Sequence, residues 1–395
     1  MKIHSPMDAV ELSRIRAIGE KVQQLQKEGR DIVRLQIGEP DFTTPGHIIA
    51  AAKAAMDHGQ THYAPNRGLA SLREEISRKL LRDNGITADP ATEILVTSGC
   101  AEGLYLVFMG LVEPGDEVII LEPAYISYLQ LARAAHARAV PVHAKEENGW
   151  LPDLDELRAA VTPKTKLLVL NTPGNPTGAV YPREVLQQIA ALAQEQDFLV
   201  LSDEVYEKLI YDGAQHVSIA SLDGMKERTI YINGFSKAYA MTGWRLGYCC
   251  GPAAIIQQMT KIHQFAIMCA PTTSQYAAVE ALKNGDPDIE EMRTAYNQRR
   301  RFLMNAFREM GLECFEPYGA FYVFPCIKEF GMTSEEFATR FLEEEKVAAV
   351  PGTAFGDSGE GYLRISYAYS LEKLKTAIGR LGHFVEKLRA EQNNK

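Results

Sequence analysis

Long apolar runs are missing: nowhere in the 395 residues is there a stretch of about 18 that would read as a membrane span. The opening MKIHSPMDAV lacks the apolar core of a secretory signal. Cysteine is sparse, and the six present, at 100, 249, 250, 269, 314 and 326, form no CxxC pair and no His/Cys cluster with metal-ligand spacing. They read as small buried side chains in a reducing compartment, so a cytoplasmic protein without a metal is expected. Positive charge is in deficit, 42 Lys and Arg against 51 Asp and Glu, for a net charge of −9. A broad nucleic-acid face is thereby excluded, and an anionic ligand would need a local cationic site. The one dense basic run, Arg299-Arg300-Arg301, lies in a polar helical pattern and reads as a solvated face. Internal repeats and low-complexity linkers are also absent.

Short apolar runs, by contrast, recur. EILVTS, DEVIILEP, RAVPVHA, KLLVLNTP, FLVLSDE, TIYING and LGYCCG are unbroken rather than alternating, the pattern of strands buried on both faces. Helical stretches lie between them. The combination predicts an α/β fold: a large domain with a mostly parallel sheet sandwiched by helices, over residues 46–285. Beyond it, a long charged helix over 286–310 and the runs GAFYVFPCI, KVAAVPG and GYLRISYA predict a smaller α+β domain, 286–395. Ile15, Ile18, Val22 and Leu25 form one apolar stripe that stops at Gly29, so residues 1–45 are expected to add a helix that packs with the small domain. The terminal RAEQNNK is expected to fray.

Ligands of open α/β sheets bind at the carboxyl ends of strands, and those ends carry the polar motifs. TSGCAEG (97–103) opens a helix whose free N–H groups favour an anion, with Gly99 permitting close approach. NTPGNPTG (171–178) crowds Pro and Gly around Asn175; a structural turn accounts for those but not for both asparagines. Asp203 in LVLSDEVYE follows a buried run, where an unpaired carboxylate is costly; a helix N-cap is the competing reading. INGFSKAYAMTGWRLG (232–247) sets Lys237 among small residues and follows it with Arg245. Each cation alone reads as a surface charge. Together the groups call for a ligand with a phosphate, a positive ring nitrogen and a carbonyl that an amine can attack, which describes pyridoxal 5′-phosphate.

GFSKAYAMTGWRLG resembles the lysine signature of the class I/II aminotransferases, pyridoxal-phosphate enzymes of fold type I. The similarity continues through GEPDF, YAPNRG, NTPGNPTG, SDEVYE and YLRISYA. The resemblance implies that Lys237 forms a Schiff base and moves a proton, and that Asp203 pairs with the ring nitrogen. It implies Tyr206 and Asn175 on the ring's phenolic oxygen and Tyr125 stacked on its face. Arg245, Ser236 and the N–H groups of Cys100 and Ala101 would hold the phosphate. Tyr63 would reach the phosphate of a neighbouring subunit in a homodimer. Arg364, for which a solvent-facing arginine is the bland alternative, would clamp a substrate carboxylate, with Asn175 and the backbone of Gly38 lining the pocket. Gly234 departs from the serine many relatives carry, removing one hydroxyl. The implied activity is exchange of an amino group between an L-amino acid and a 2-oxo acid, aspartate with 2-oxoglutarate first and aromatic or broad specificity next. A C–S β-lyase and a ligand-sensing regulator on the same body are the alternatives.

Overall fold

All seven expected runs are strands of one sheet. The computed structural model describes residues 5–394. Its strands are β1 (Val33–Arg34), β2 (Ile94–Thr97), β3 (Glu117–Glu122), β4 (Arg138–His143), β5 (Thr165–Asn171) and β6 (Leu199–Asp203), followed by β7 (Thr229–Gly234), β8 (Gly247–Cys250), β9 (Tyr322–Val323), β10 (Val347–Ala348), β11 (Val350–Pro351) and β12 (Leu363–Ser366). The large sheet has the order β2-β8-β7-β6-β5-β3-β4. Every pairing in it is parallel except those of β8, which runs antiparallel to both β2 and β7.

Two-sided burial follows from helices on both faces. Along β5, Leu168 and Leu170 join one apolar cluster and Leu167 and Val169 another. Each such side chain contributes about 1.5–3 kcal/mol when fully buried. The helix Arg183–Glu195 covers one face through Leu186, Ile189, Ala190, Leu192 and Ala193. The helix Gly99–Leu111 covers the other through Leu104, Leu106, Val107 and Phe108. RAVPVHA is the exception: β4 is the sheet's edge, with Arg138 and Pro141 exposed. An edge is where a proline, having no N–H for the ladder, is tolerated.

The second assembly uses β9, β11 and β12 as an antiparallel three-stranded sheet. The N-terminal segment is joined to it, since β1 pairs with β10 and the N–H of Ser366 donates to Leu35 O at 2.9 Å. The helix Arg14–Lys27 buries Val22 against Ile32, Leu342 and Ala348. Two expectations need correction. The run 299–301 is not a solvated face: Arg300 is 0% exposed, its guanidinium 5.5 Å from the Tyr211 ring centre and paired with Asp212 and Glu316. Arg299 lies over Phe42 and Tyr296, and only Arg301 remains open to solvent. The C-terminal segment is not frayed either, since the helix Leu371–Asn393 continues through it; Lys395 lies outside the described residues. Among the described residues all six cysteines are free, and no helix is long and apolar enough to cross a membrane.

Candidate active site

Strand register brings the motifs to one edge. Asn171 at the end of β5 lies beside Asp203 at the end of β6, and Gly247 at the start of β8 lies between Thr97 and Gly234. The antiparallel β8 therefore starts where its neighbours stop, and Arg245 precedes it at the same edge. Asn171 explains the first asparagine of NTPGNPTG: its amide donates to Asp203 O at 2.9 Å and its Oδ1 accepts the N–H of Asn175 at 2.9 Å. It braces the loop to the strand that carries the acid.

Lys237 follows β7 by three residues. Its side chain is half-buried, with the amine turned inward, donating to Gly38 O at 2.6 Å. The Tyr206 and Phe321 ring centres lie 5.9 and 5.7 Å from the nitrogen. Burial pushes the ammonium down to about 8; Glu39 opposes the fall, and Arg364 and Arg245 add to it. An amine so tuned is available as a nucleophile and proton carrier near neutral pH.

Asp203 is 5% exposed. Burial raises its carboxyl to about 6, against the Tyr128 hydroxyl, which donates to Oδ2 at 2.8 Å, and the Val205 N–H, which reaches Oδ1 at 3.3 Å. A turn rather than a helix follows, so the N-cap reading gives way to a short Asx-type turn. The neighbouring Glu204 is separately satisfied by Ser202, Ser218 and His216 at 2.7, 2.6 and 2.6 Å. Tyr125 is half-buried and packs its ring edge-on against Tyr128 at 5.7 Å.

Arg245 adopts φ 52, left-handed backbone that is costly for a side chain of its size and characteristic of functional sites. Its Nη1 donates to Thr242 O at 2.9 Å, while the side chain stays exposed. Its Nη2 lies so near Gly99 that a Cβ there would sit 2.6 Å away. A Cβ on Gly247 would sit 2.7 Å from the Cys100 nitrogen. Glycines thus let the guanidinium and the first N–H groups of the helix Gly99–Leu111 converge, with Ala101 exposed on its first turn and Ser236 buried next to Lys237. Position 234 also has its reason: a Cβ there would meet the Cys100 thiol at 2.8 Å, so sulfur occupies the space a serine would need.

The solvent-facing alternative for Arg364 is overturned, since it is 2% exposed. Its Nη1 donates to Asn175 Oδ1 at 3.2 Å and its Nη2 to Gln36 O at 2.5 Å, while Nε has no partner. The guanidinium stacks on Tyr322 and Phe355, 4.6 and 5.0 Å from their ring centres. Tyr322 is a residue that sequence reasoning missed. Its hydroxyl bonds that of Tyr206 at 2.8 Å and fills the space a Cβ on Gly38 would require. Tyr128 was missed too, although EPAYISY spaces it one helical turn after Tyr125. Tyr322 is hidden within the apolar run GAFYVFP. Tyr63 stands apart, 80% exposed, on a segment tied to the 268–272 stretch by Asn66 and Thr272.

An inward-facing amine, a buried carboxylate and a glycine-lined cradle of N–H groups under a guanidinium match the three ends of pyridoxal 5′-phosphate. The family described as aminotransferase class I and II matches residues 30–381. The chain is 47% identical to an aspartate aminotransferase of Pyrococcus abyssi, over 96% of its own length and 97% of the relative's. It is 45% identical to aromatic-amino-acid aminotransferase 2 of Thermococcus litoralis, over 96% and 97%. The solved structure of Thermus thermophilus aspartate aminotransferase with maleate superposes with a TM-score of 0.93 at 41% identity, over 97% of this chain and 100% of that one. With the site built at the strand ends and near-full-length relatives this similar, the chain belongs to the class I and II aminotransferases, which depend on pyridoxal 5′-phosphate.

Proposed function

We propose that this aminotransferase works on aspartate with 2-oxoglutarate, and next on aromatic amino acids, as a cytoplasmic homodimer. The observation that carries the reading is the Arg364–Asn175 pair, a buried fork stacked on the ring of Tyr322, whose hydroxyl bonds that of Tyr206, the ring beside the amine of Lys237. Arg364 binds the α-carboxylate in bidentate fashion, and Asn175 holds the guanidinium in plane for it. Gly38 offers backbone to the same pocket. Lys237 would hold the coenzyme through its amine and would move a proton at the substrate Cα. Asp203 holds a proton on the ring nitrogen, and Tyr206 with Asn175 orients the ring through its phenolic oxygen. Tyr125 covers one face and excludes water. Arg245, Ser236 and the N–H groups of Cys100 and Ala101 anchor the phosphate. When bound, the coenzyme supplies the electron-accepting ring that no amino-acid side chain provides.

For the division of labour we propose a large domain, 46–285, holding the phosphate, and a small one, 286–395, completed by residues 1–45 and holding the carboxylate. The β1–β10 pairing and the Ser366–Leu35 bond support that grouping. Exposed Tyr63, Phe265 and Met268, at 80, 87 and 48%, supply apolar surface for a second copy, with Tyr63 reaching that copy's phosphate. The relatives named for aspartate and the dicarboxylate in the Thermus structure support the first substrate; the Thermococcus relative supports the second. A panel of amino donors against 2-oxoglutarate and pyruvate tests this. Aspartate with 2-oxoglutarate should give the highest kcat/KM. Release of pyruvate and ammonia from cystathionine, with no transfer to any oxo acid, would refute it in favour of a lyase.

A further inference from the structure

We propose that Tyr128 is a positioning residue for this reaction, its hydroxyl holding the Asp203 carboxylate ionised and correctly turned toward the coenzyme's ring nitrogen. The inference rests on the reading of Asp203 given above. Tyr128 opens the second position of the helix Ser127–Ala134 and is 1% exposed, so its single polar atom must find a partner inside the protein. That partner is Asp203 Oδ2, at 2.8 Å. A carboxylate offers about four lone-pair sites. The hydroxyl takes one on Oδ2, and the Val205 N–H takes one on Oδ1 at 3.3 Å. The remaining sites define the direction in which the acid can receive a ring N–H.

The geometry also ties two functions to one short segment, since Tyr125 lies in the loop two residues before that helix. Tyr125, read as the ring-covering residue, packs edge-on against Tyr128 at 5.7 Å. The surface under the ring and the acid at its nitrogen are therefore registered against each other through one rigid contact.

Electrostatics reinforce the assignment. The charged and titratable groups facing Asp203 are Tyr128 from its helix, Cys100 from the helix Gly99–Leu111, Cys249 from β8, Lys237 beyond β7, and Glu204 and Tyr206 of its own segment. Lys237 and the Tyr128 bond favour the charged acid; burial and Glu204 disfavour it. The Tyr128 hydroxyl itself is held far above its ordinary range by burial and the adjacent carboxylate, so it remains a donor at every working pH. Without it, Asp203 keeps only the longer Val205 contact, and burial is opposed still less.

Tyr128→Phe removes the oxygen and keeps the ring packing. The dissociation constant of pyridoxal 5′-phosphate, measured by equilibrium dialysis between pH 5 and 9 on the full chain, is the first readout, and steady-state kinetics the second. Expected are coenzyme retention weakened about tenfold to a hundredfold, an acid limb moved up by about one to two pH units, and a fall in kcat with donor KM little changed. Tyr181→Phe, which deletes another buried tyrosine hydroxyl from a small cavity that Tyr128 and Asn171 also line, should leave all three unmoved. Replacing Tyr128 with 3-fluorotyrosine, a stronger donor of the same shape, should shift the acid limb to lower pH, and it decides the matter if the phenylalanine variant does not fold. Asp203→Asn separates the two readings. If that variant loses coenzyme while both Tyr128 substitutions superpose on the parent, the Tyr128 inference is overturned and the Asp203 reading stands. If Asp203→Asn behaves as the parent, the underlying reading falls.

Discussion

Arg364→Lys retains the charge and deletes the fork. In the structure Nη1 and Nη2 serve Asn175 and Gln36 at 3.2 and 2.5 Å, and the guanidinium plane rests on Tyr322 and Phe355. An ammonium cannot satisfy both acceptors, stack on both rings and still present two parallel N–H groups to a carboxylate. A hydrogen bond involving a charged group contributes about 1.5–3 kcal/mol. Losing one of a bidentate pair, with some misplacement of the other, should lower kcat/KM by about 2–4 kcal/mol, or roughly thirtyfold to a thousandfold. The assay compares an amino acid with the amine that lacks its carboxylate. The parent should discriminate strongly between them, and the variant should lose most of that discrimination by slowing on the amino acid alone. Unchanged kcat/KM in Arg364→Lys would remove Arg364 from the site. An equal loss on amine and amino acid would assign it to packing instead.

Three further outcomes follow from the same geometry. Gly38→Ala forces a methyl group into the Tyr322 hydroxyl, which Tyr206 holds at 2.8 Å, so turnover should fall at least about tenfold; the double variant with Tyr322→Phe should recover part of it, and no recovery would mean the clash is not the cause. Lys237 is pushed down to about 8, so its amine is protonated below that value and free above it. Coenzyme capture by the apoprotein should therefore accelerate with pH through about 8 and level off beyond, whereas a midpoint near 10.5 would contradict the burial argument. Arg300→Leu leaves Glu316 and Pro317 O without their partner, and about 1–3 kcal/mol of stability should be lost in urea titration, while Arg301→Ala, exposed, should cost less than about 1 kcal/mol.

The sheet was legible because burial on two faces forces unbroken Val, Ile and Leu, a signal that belongs to each strand alone. RAVPVHA misled in one respect, since an edge position depends on what lies beyond the strand, and only its proline hinted at the answer. Charged residues were harder to read. Whether Arg300 is solvated depends on Tyr211, Asp212 and Glu316, two of which lie in other parts of the chain, and nothing in Arg299-Arg300-Arg301 separates the central residue from its neighbours. Arg364 presented the same ambiguity, and there the motif around it, rather than its own chemistry, pointed inward. The site was therefore legible where a motif lies within one strand end, as in SDEVYE or GFSKAYAM. It was illegible where a contact spans the fold, as from Tyr128 to Asp203 or from Tyr322 to Gly38. A hydroxyl that serves a distant carboxylate leaves no local pattern, because a buried tyrosine packs as an ordinary aromatic in sequence and reveals its polar end only when the partner is known.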